Sequence, residues 1–315
     1  MRLTTSIIAT SVISATVMVS AQAQAQAQAQ ANDPVVVSSK IDTEGGVLGE
    51  LILQTLEHEG IPTENRIQLG ATSVVRQALK TGEIDLYPEY TGNGAFFFDM
   101  ADSPVWNNAE KAYQTVRERD AENGLVWLTP ASANNTWAMS VRQDIAREHG
   151  LETLEDLADY LASGGEFKFA ASAEFVESEQ ALPAFQEAYG FELSEDQLLV
   201  LSGGNTAATM RAAAQQTSGT NAAMTYGTDG GLNALGLVVL EDSKGVQPVY
   251  QPAPVVREDV LEQYPQIEPA LETVFTSLDL ETLQRLNADV AVNGLAAEQV
   301  AQDYLDNLRR NTSGQ

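Results

Sequence analysis

Short β-branched runs alternate with stretches of helical period along most of this chain. Val35 to Ser39 is such a run; after a polar loop, Gly46 to Glu59 places Leu48, Leu51, Ile52, Thr55 and Leu56 on one helical face. Arg66 to Leu69 predicts a second strand, Thr72 to Thr81 a second helix, and Ile84 to Tyr87 a third strand that ends at Pro88. A loop with Gly92, Gly94 and the triplet Phe96 to Phe98 follows, and the triplet is read as buried packing beneath that loop. A helix over Asn107 to Asn123 leads to a strand at Leu125 to Leu128. The alternation predicts an α/β fold with mainly parallel sheets covered by helices.

From Trp137 the pattern starts afresh. Strands are expected at Trp137 to Val141, Phe167 to Ala171 and Ala222 to Tyr226, with helices at Leu154 to Leu161, Ala181 to Tyr189 and Thr206 to Gln216. Beyond Gly230, strands at Leu237 to Leu240 and Val249 to Tyr250 are expected to return to the first unit, followed by helices at Glu268 to Thr276, Leu280 to Asn287 and Ala296 to Leu308. The reading is therefore two lobes: residues 32–136, then 137–227, then 228–315 rejoining the first. Two lobes joined by crossing segments form a clamshell whose ligand site is the cleft and whose motion is hinge closure.

Residues 1–31 change the picture by adding a leader. Arg2, an apolar stretch from about Ile7 to Val19 and an Ala-Gln repeat read as a secretory signal peptide with several small-residue cleavage sites. The chain has no cysteine, which excludes disulfides, thiolate metal sites and a lipid-anchored N-terminal Cys, so a protein free in a periplasm is expected. Asp and Glu number 44 against 17 Lys and Arg, for a formal charge of −27. That balance repels nucleic acid and anionic membrane, leaving both as poor partners.

Little in the chain suits catalysis. His58 and His149 have no second ligand at metal spacing, and both read as surface residues. Ser218-Gly219 and Ser202-Gly203-Gly204 lack the strand-turn-helix setting of a nucleophile elbow. Asp85 and Glu89 flank a tight turn and are read as acceptors of backbone N–H bonds, with a hydrolase or lyase base as the competing reading. No cofactor, no metal and no enzymatic activity are expected. By contrast, Tyr90, Trp137, Tyr226 and Tyr250 stand at element ends on both lobes, where open α/β sheets present their crevices. Gathered in a cleft they make a box of π-faces, which suits a quaternary ammonium ion.

Lys40 to Gly45 (KIDTEG), Gly70 to Arg76 (GATSVVR), Gly82 to Gly92 (GEIDLYPEYTG), Asn134 to Trp137 (NNTW) and Tyr226 to Gly230 (YGTDG) together resemble the glycine betaine/choline-binding proteins of osmoprotectant ABC transporters, closest in kind to the YehZ/OsmF type. The likeness runs from about Val35 to Leu308. It implies a two-lobed periplasmic binding protein of the type II clamshell class, a monomer that delivers solute to an inner-membrane permease and ATPase. Tyr90, Tyr226 and Tyr250 match the family's cage tyrosines, and Trp137 stands where relatives commonly have another Tyr. Lys40 matches the residue near the ligand carboxylate, and Asn93 falls where many relatives place a Thr bonding the same group. Thr91, Asn135 and Thr228 lie in the matching motifs as further candidates. Ser178 occupies a position where relatives often carry an Arg that clamps the carboxylate bidentately, a role Ser cannot fill. Weak betaine binding, or a ligand without a carboxylate such as choline, is therefore expected. Another zwitterion, either an amino acid or a sulfonium osmolyte, and a sensor for a membrane partner are the alternatives.

Overall fold

The computed structural model describes residues 33–201 and 206–313; the leader and the Ser202-Gly203-Gly204 sequence lie outside the described residues. Among these residues the chain forms ten strands: β1 (Val35–Lys40), β2 (Thr63–Gly70), β3 (Leu86–Tyr90), β4 (Leu125–Trp127), β5 (Trp137–Arg142), β6 (Phe169–Ser172), β7 (Leu198–Leu201), β8 (Ala222–Tyr226), β9 (Leu237–Val239) and β10 (Pro252–Arg257). They build two five-stranded sheets, ordered β2-β1-β3-β10-β4 and β7-β6-β8-β5-β9. In each sheet one strand, β10 or β5, runs against the other four. The expected α/β architecture with mainly parallel sheets is the one observed.

The helix Thr43–His58 shows why these segments fold as they do. Asp42 caps it by accepting from the Gly45 N–H at 2.7 Å, and Leu48, Leu51, Ile52 and Leu56 are all fully buried against the first sheet. The helices Ile267–Phe275, Leu280–Ala291 and Ala297–Ser313 share that core. The other face of the sheet carries a second core, around Tyr87, Trp106, Val116 and Trp127. Within it Arg76 pairs with fully buried Asp120, which also accepts from Trp127 Nε1 at 2.7 Å. The second sheet packs Phe169, Phe175 and Phe185 on one side, and Met210, Ala213 and Leu232 on the other. No helix among the described residues is long and apolar enough to cross a membrane.

Three sequence expectations fail here. The third strand does not end at Pro88 but runs through it to Tyr90, because Pro88 faces Pro254 of antiparallel β10 and neither needs to donate there. β9 does not return to the first sheet; it pairs with β5 and completes the second. The returning strand is Pro252–Arg257, with Tyr250 just outside it, since two prolines hid a buried strand whose residues Pro252 to Val256 are all buried.

Two extended segments cross between the sheets side by side. Asn135 N donates to Tyr250 O at 3.0 Å, Tyr250 N donates to Asn134 Oδ1 at 2.8 Å, and Thr136 Oγ1 donates to Pro248 O at 2.8 Å. The turn after β8 leans on the helix Leu280–Ala291: a Cβ on Gly230 would lie 2.3 Å from Ala288 N, so only glycine permits that approach.

Candidate functional site

A cleft of about 1230 Å³ opens where the ends of the two sheets face each other. Lys40 ends β1, Tyr90 ends β3 and Asn93 closes the turn after it; from the other sheet come Trp137, which opens β5, and Tyr226, which ends β8. Tyr250 and Asn135 reach the cleft from the crossing segments. Ser178 and Thr228 also line it. Thr91 does not: it is fully buried, and its hydroxyl donates to Val249 O at 3.1 Å and accepts from Gln251 N at 3.2 Å. Its expected ligand contact is replaced by a structural one that ties the Tyr90 turn to the segment carrying Tyr250.

The wall on the first sheet is built around two buried carboxylates. Glu89, fully buried, accepts from Lys40 Nζ, from Tyr87 OH at 2.8 Å, from Asn93 Nδ2 at 2.7 Å and from Tyr90 N at 2.7 Å. Lys40 is thus matched by Glu89, and its ammonium lies 4.4 Å above the Tyr90 ring centroid. Glu89 and Asp85 each accept a backbone N–H as read in sequence, from Tyr90 at 2.7 Å and Val36 at 2.9 Å, but the tight turn expected between them is strand β3, and most of Glu89's bonds come from side chains.

Sequence reasoning missed the second carboxylate, Glu44, in the first turn of the helix Thr43–His58. It is 5% exposed and takes hydrogen bonds from Tyr90 OH at 2.7 Å, Asn135 Nδ2 at 3.1 Å and Asn287 Nδ2 at 2.6 Å. Burial pushes its carboxyl up from the ordinary range, while bonds from Thr228, Tyr90 and Asn287 pull against that. Burial, and then the neighbouring Glu44 charge, hold the Tyr90 phenol well above its ordinary value. Asn287 also donates to Thr228 O at 2.9 Å, so one carboxylate gathers the first sheet, the crossing segment at Asn135 and the turn after β8.

The wall on the second sheet follows from strand register. Trp137 and Tyr226 are directly opposed on antiparallel β5 and β8, which puts both rings on one face. Trp137 meets Phe175 edge to face at 5.6 Å, fixing the indole from behind. Asp229 Oδ2 accepts from Tyr226 N at 2.8 Å and closes the turn after β8. Tyr250 lies flat on the turn after Tyr90, close enough that a Cβ on Gly92 would stand 2.7 Å from two of its ring carbons.

The phenylalanine triplet divides. Phe97 and Phe98 pack against the core of the first sheet as expected, but Phe96 is 68% exposed and lines the cleft. Gly94 sits so close to Trp106 and Val116 that the short helix Gly94–Phe97 is pressed onto the core, and successive residues on so tight a turn face different ways. The histidines are both exposed and lie outside the cleft, His58 at the end of its helix and His149 beside Tyr160.

Chemically the cleft offers aromatic faces, a buried ion pair and a carboxylate held by neutral donors. The OpuAC family model, the substrate binding domain of ABC-type glycine betaine transport systems, matches residues 33–307. The chain is 61% identical over 273 residues to the glycine betaine-binding protein YehZ of Escherichia coli K12, covering 86% of this chain and 90% of that one. It is 30% identical over 277 residues to a glycine-betaine-binding protein of Pseudomonas aeruginosa, covering 85% and 86% respectively. The solved structure of apo YehZ from Escherichia coli superposes with a TM-score of 0.84 at 60% identity, over 87% of this chain and 98% of that one. With the family model spanning nearly every described residue, this chain belongs to the OpuAC family of ABC-transporter substrate-binding proteins.

Proposed function

We propose that this protein captures a quaternary ammonium osmolyte, glycine betaine or choline, between its two lobes and hands it to an ABC permease and ATPase in the inner membrane. The observation that carries this reading is the convergence of Tyr90, Trp137, Tyr226 and Tyr250 on one cleft from two sheets and their crossing segments. Each cation–π contact contributes about 0.5 to 2 kcal/mol when desolvated. Two to four of them, less the entropy of association, correspond to micromolar-to-millimolar binding.

In this reading the lobes are residues 32–136 with the returning segment and C-terminal helices, and a second lobe that starts at Trp137 and extends through β9, past the boundary at 227 suggested by the sequence pattern. The crossing segments are the hinge. The protein acts as a non-enzymatic monomer in the periplasm, released there after removal of its leader. Lys40, already neutralised by Glu89, keeps N–H groups for a ligand carboxylate but brings no unbalanced positive charge. With Ser178 in place of a clamping Arg, the cleft favours the ammonium end of its ligand, and betaine affinity is low.

The test is substitution of Tyr226 followed by binding of radiolabelled choline and betaine, with sulfonium and amino-acid competitors. Tyr226→Ala weakens binding about tenfold or more, and Tyr226→Phe, which keeps the π-face, much less. Equal binding by parent and Ala variant would remove the cage. Displacement by an amino acid but not by the onium compounds would replace the ligand class.

A further inference from the structure

Of the charged groups lining the cleft, Asp42, Glu44, Glu174 and Asp229 outnumber Lys40 and Arg211, and the innermost imbalance is at Glu44. The hydrogen-bond partners of this carboxylate, Tyr90, Asn135, Asn287 and Thr228, are all neutral, and it has no ion pair among the described residues. These donors favour its acceptor-only, ionised form, against the burial that favours its proton. Its neighbour Lys40 does not balance it, because Glu89 already does so for Lys40. The Tyr90 hydroxyl points at Glu44, so the charge stands at the edge of a ring that forms part of the ligand wall.

We propose that Glu44 is a specificity-determining residue: an unbalanced carboxylate behind Tyr90 that makes the cleft prefer a net cation to a zwitterion carrying the same headgroup. The inference rests on the quaternary ammonium reading and extends it to the ligand's net charge. From a buried position a single charge acts over several ångströms. A choline-like cation gains that attraction in full. In a betaine the attraction at the ammonium is offset by repulsion at its own carboxylate, only a few bonds away. Glu44 therefore compounds the effect of Ser178, which supplies no positive charge where a ligand carboxylate would need one. The aromatic walls do not discriminate in this way, since they meet the same trimethylammonium group in both ligands.

The experiment is calorimetric titration of parent, Glu44→Gln and Glu44→Asp proteins with choline, glycine betaine and 3,3-dimethylbutan-1-ol, the uncharged carbon isostere of choline. Glu44→Gln weakens choline about tenfold, with smaller changes for betaine and the isostere. Glu44→Asp keeps the charge and keeps the order of preference. Equal weakening of all three ligands by Glu44→Gln would make Glu44 a merely structural residue and overturn the proposal. If Glu44→Gln does not fold, the parent and Glu44→Asp decide: betaine binding as tight as choline contradicts the proposal, and tighter choline binding, kept in Glu44→Asp, supports it. A parent protein that binds no onium ligand at all would overturn the ligand class and this inference together, whereas bound choline with an unchanged preference would overturn only Glu44.

Discussion

Replacing Gly92 by alanine tests whether the Tyr250 wall is built as described. The residue sits in a right-handed turn, Thr91–Asn93, so its backbone accepts any L-residue and only the neighbours oppose a side chain. A Cβ there would lie 2.7 Å from Cδ1 and Cε1 of Tyr250 and 2.8 Å from Val249 O, against ordinary contacts that begin at 3.4 Å. The overlap is 3.4 − 2.7 = 0.7 Å on the ring. The segment cannot slide away, because Val249 N donates to Trp106 O at 2.7 Å and Tyr250 N donates to Asn134 Oδ1 at 2.8 Å. The ring must therefore turn out of its place. Overpacking of this kind costs about 1 to 3 kcal/mol, which exceeds the roughly 0.4 to 1 kcal/mol that Gly→Ala returns by restricting the unfolded chain. Loss of one π-face weakens ligand binding by about 0.5 to 2 kcal/mol, roughly two- to thirtyfold. Thermal melting and choline titration of Gly92→Ala, Tyr250→Ala and the double variant make the assay. The double variant should be less destabilised than the sum of the singles, since removing the ring relieves its part of the clash and leaves only the contact with Val249 O. A Gly92→Ala protein with parental melting temperature and affinity, or strict additivity with Tyr250→Ala, would refute the reasoning.

Further predictions concern charge and stability. Ser178→Arg should tighten betaine more than choline, up to the roughly 1.5 to 3 kcal/mol of a hydrogen bond to a charged group, and equal gains for both would refute the carboxylate argument. Asp120→Asn strands the buried Arg76 guanidinium and should cost about 3 to 5 kcal/mol by chemical denaturation, yet leave choline affinity unchanged because neither residue lines the cleft. Burial holds the Glu44 carboxyl above its unfolded value, so its contribution to stability is fully present below the unfolded value and lost as pH rises through the folded one. The melting temperature of Glu44→Gln relative to parent should accordingly rise between pH 4 and pH 8, and a flat or falling difference contradicts the sign.

Periodicity located most elements, and where it failed the causes are specific. The helix Thr72–Thr81 and the strand Ala222–Tyr226 have the bounds their patterns predict, the helix because one face is buried and the strand because it is a short run buried on both faces. Pro252–Arg257 was illegible because two prolines forbid a strand only where an N–H is required, and pairing across the sheet decides that. Leu198–Leu201 is a four-residue apolar run too short for its period to declare itself. The aromatic candidates were legible because strand ends are where α/β sheets present ligands. Glu44 was not, although it lies inside a motif the sequence singled out: an acid in a helix's first turn already has a local explanation in the helix dipole, so nothing signalled that Asn135 and Asn287, 91 and 243 residues away, would converge on it. Phe96 was hidden for the opposite reason, since three consecutive phenylalanines read as core and only the tight turn separates one from the others.

The most direct test of the central claim is calorimetric titration of the leader-free protein with choline and then glycine betaine, at low and high salt. Saturable one-to-one binding of both is expected, weak for betaine and tighter for choline. Absence of heat with either ligand from a sample that melts cooperatively would contradict it.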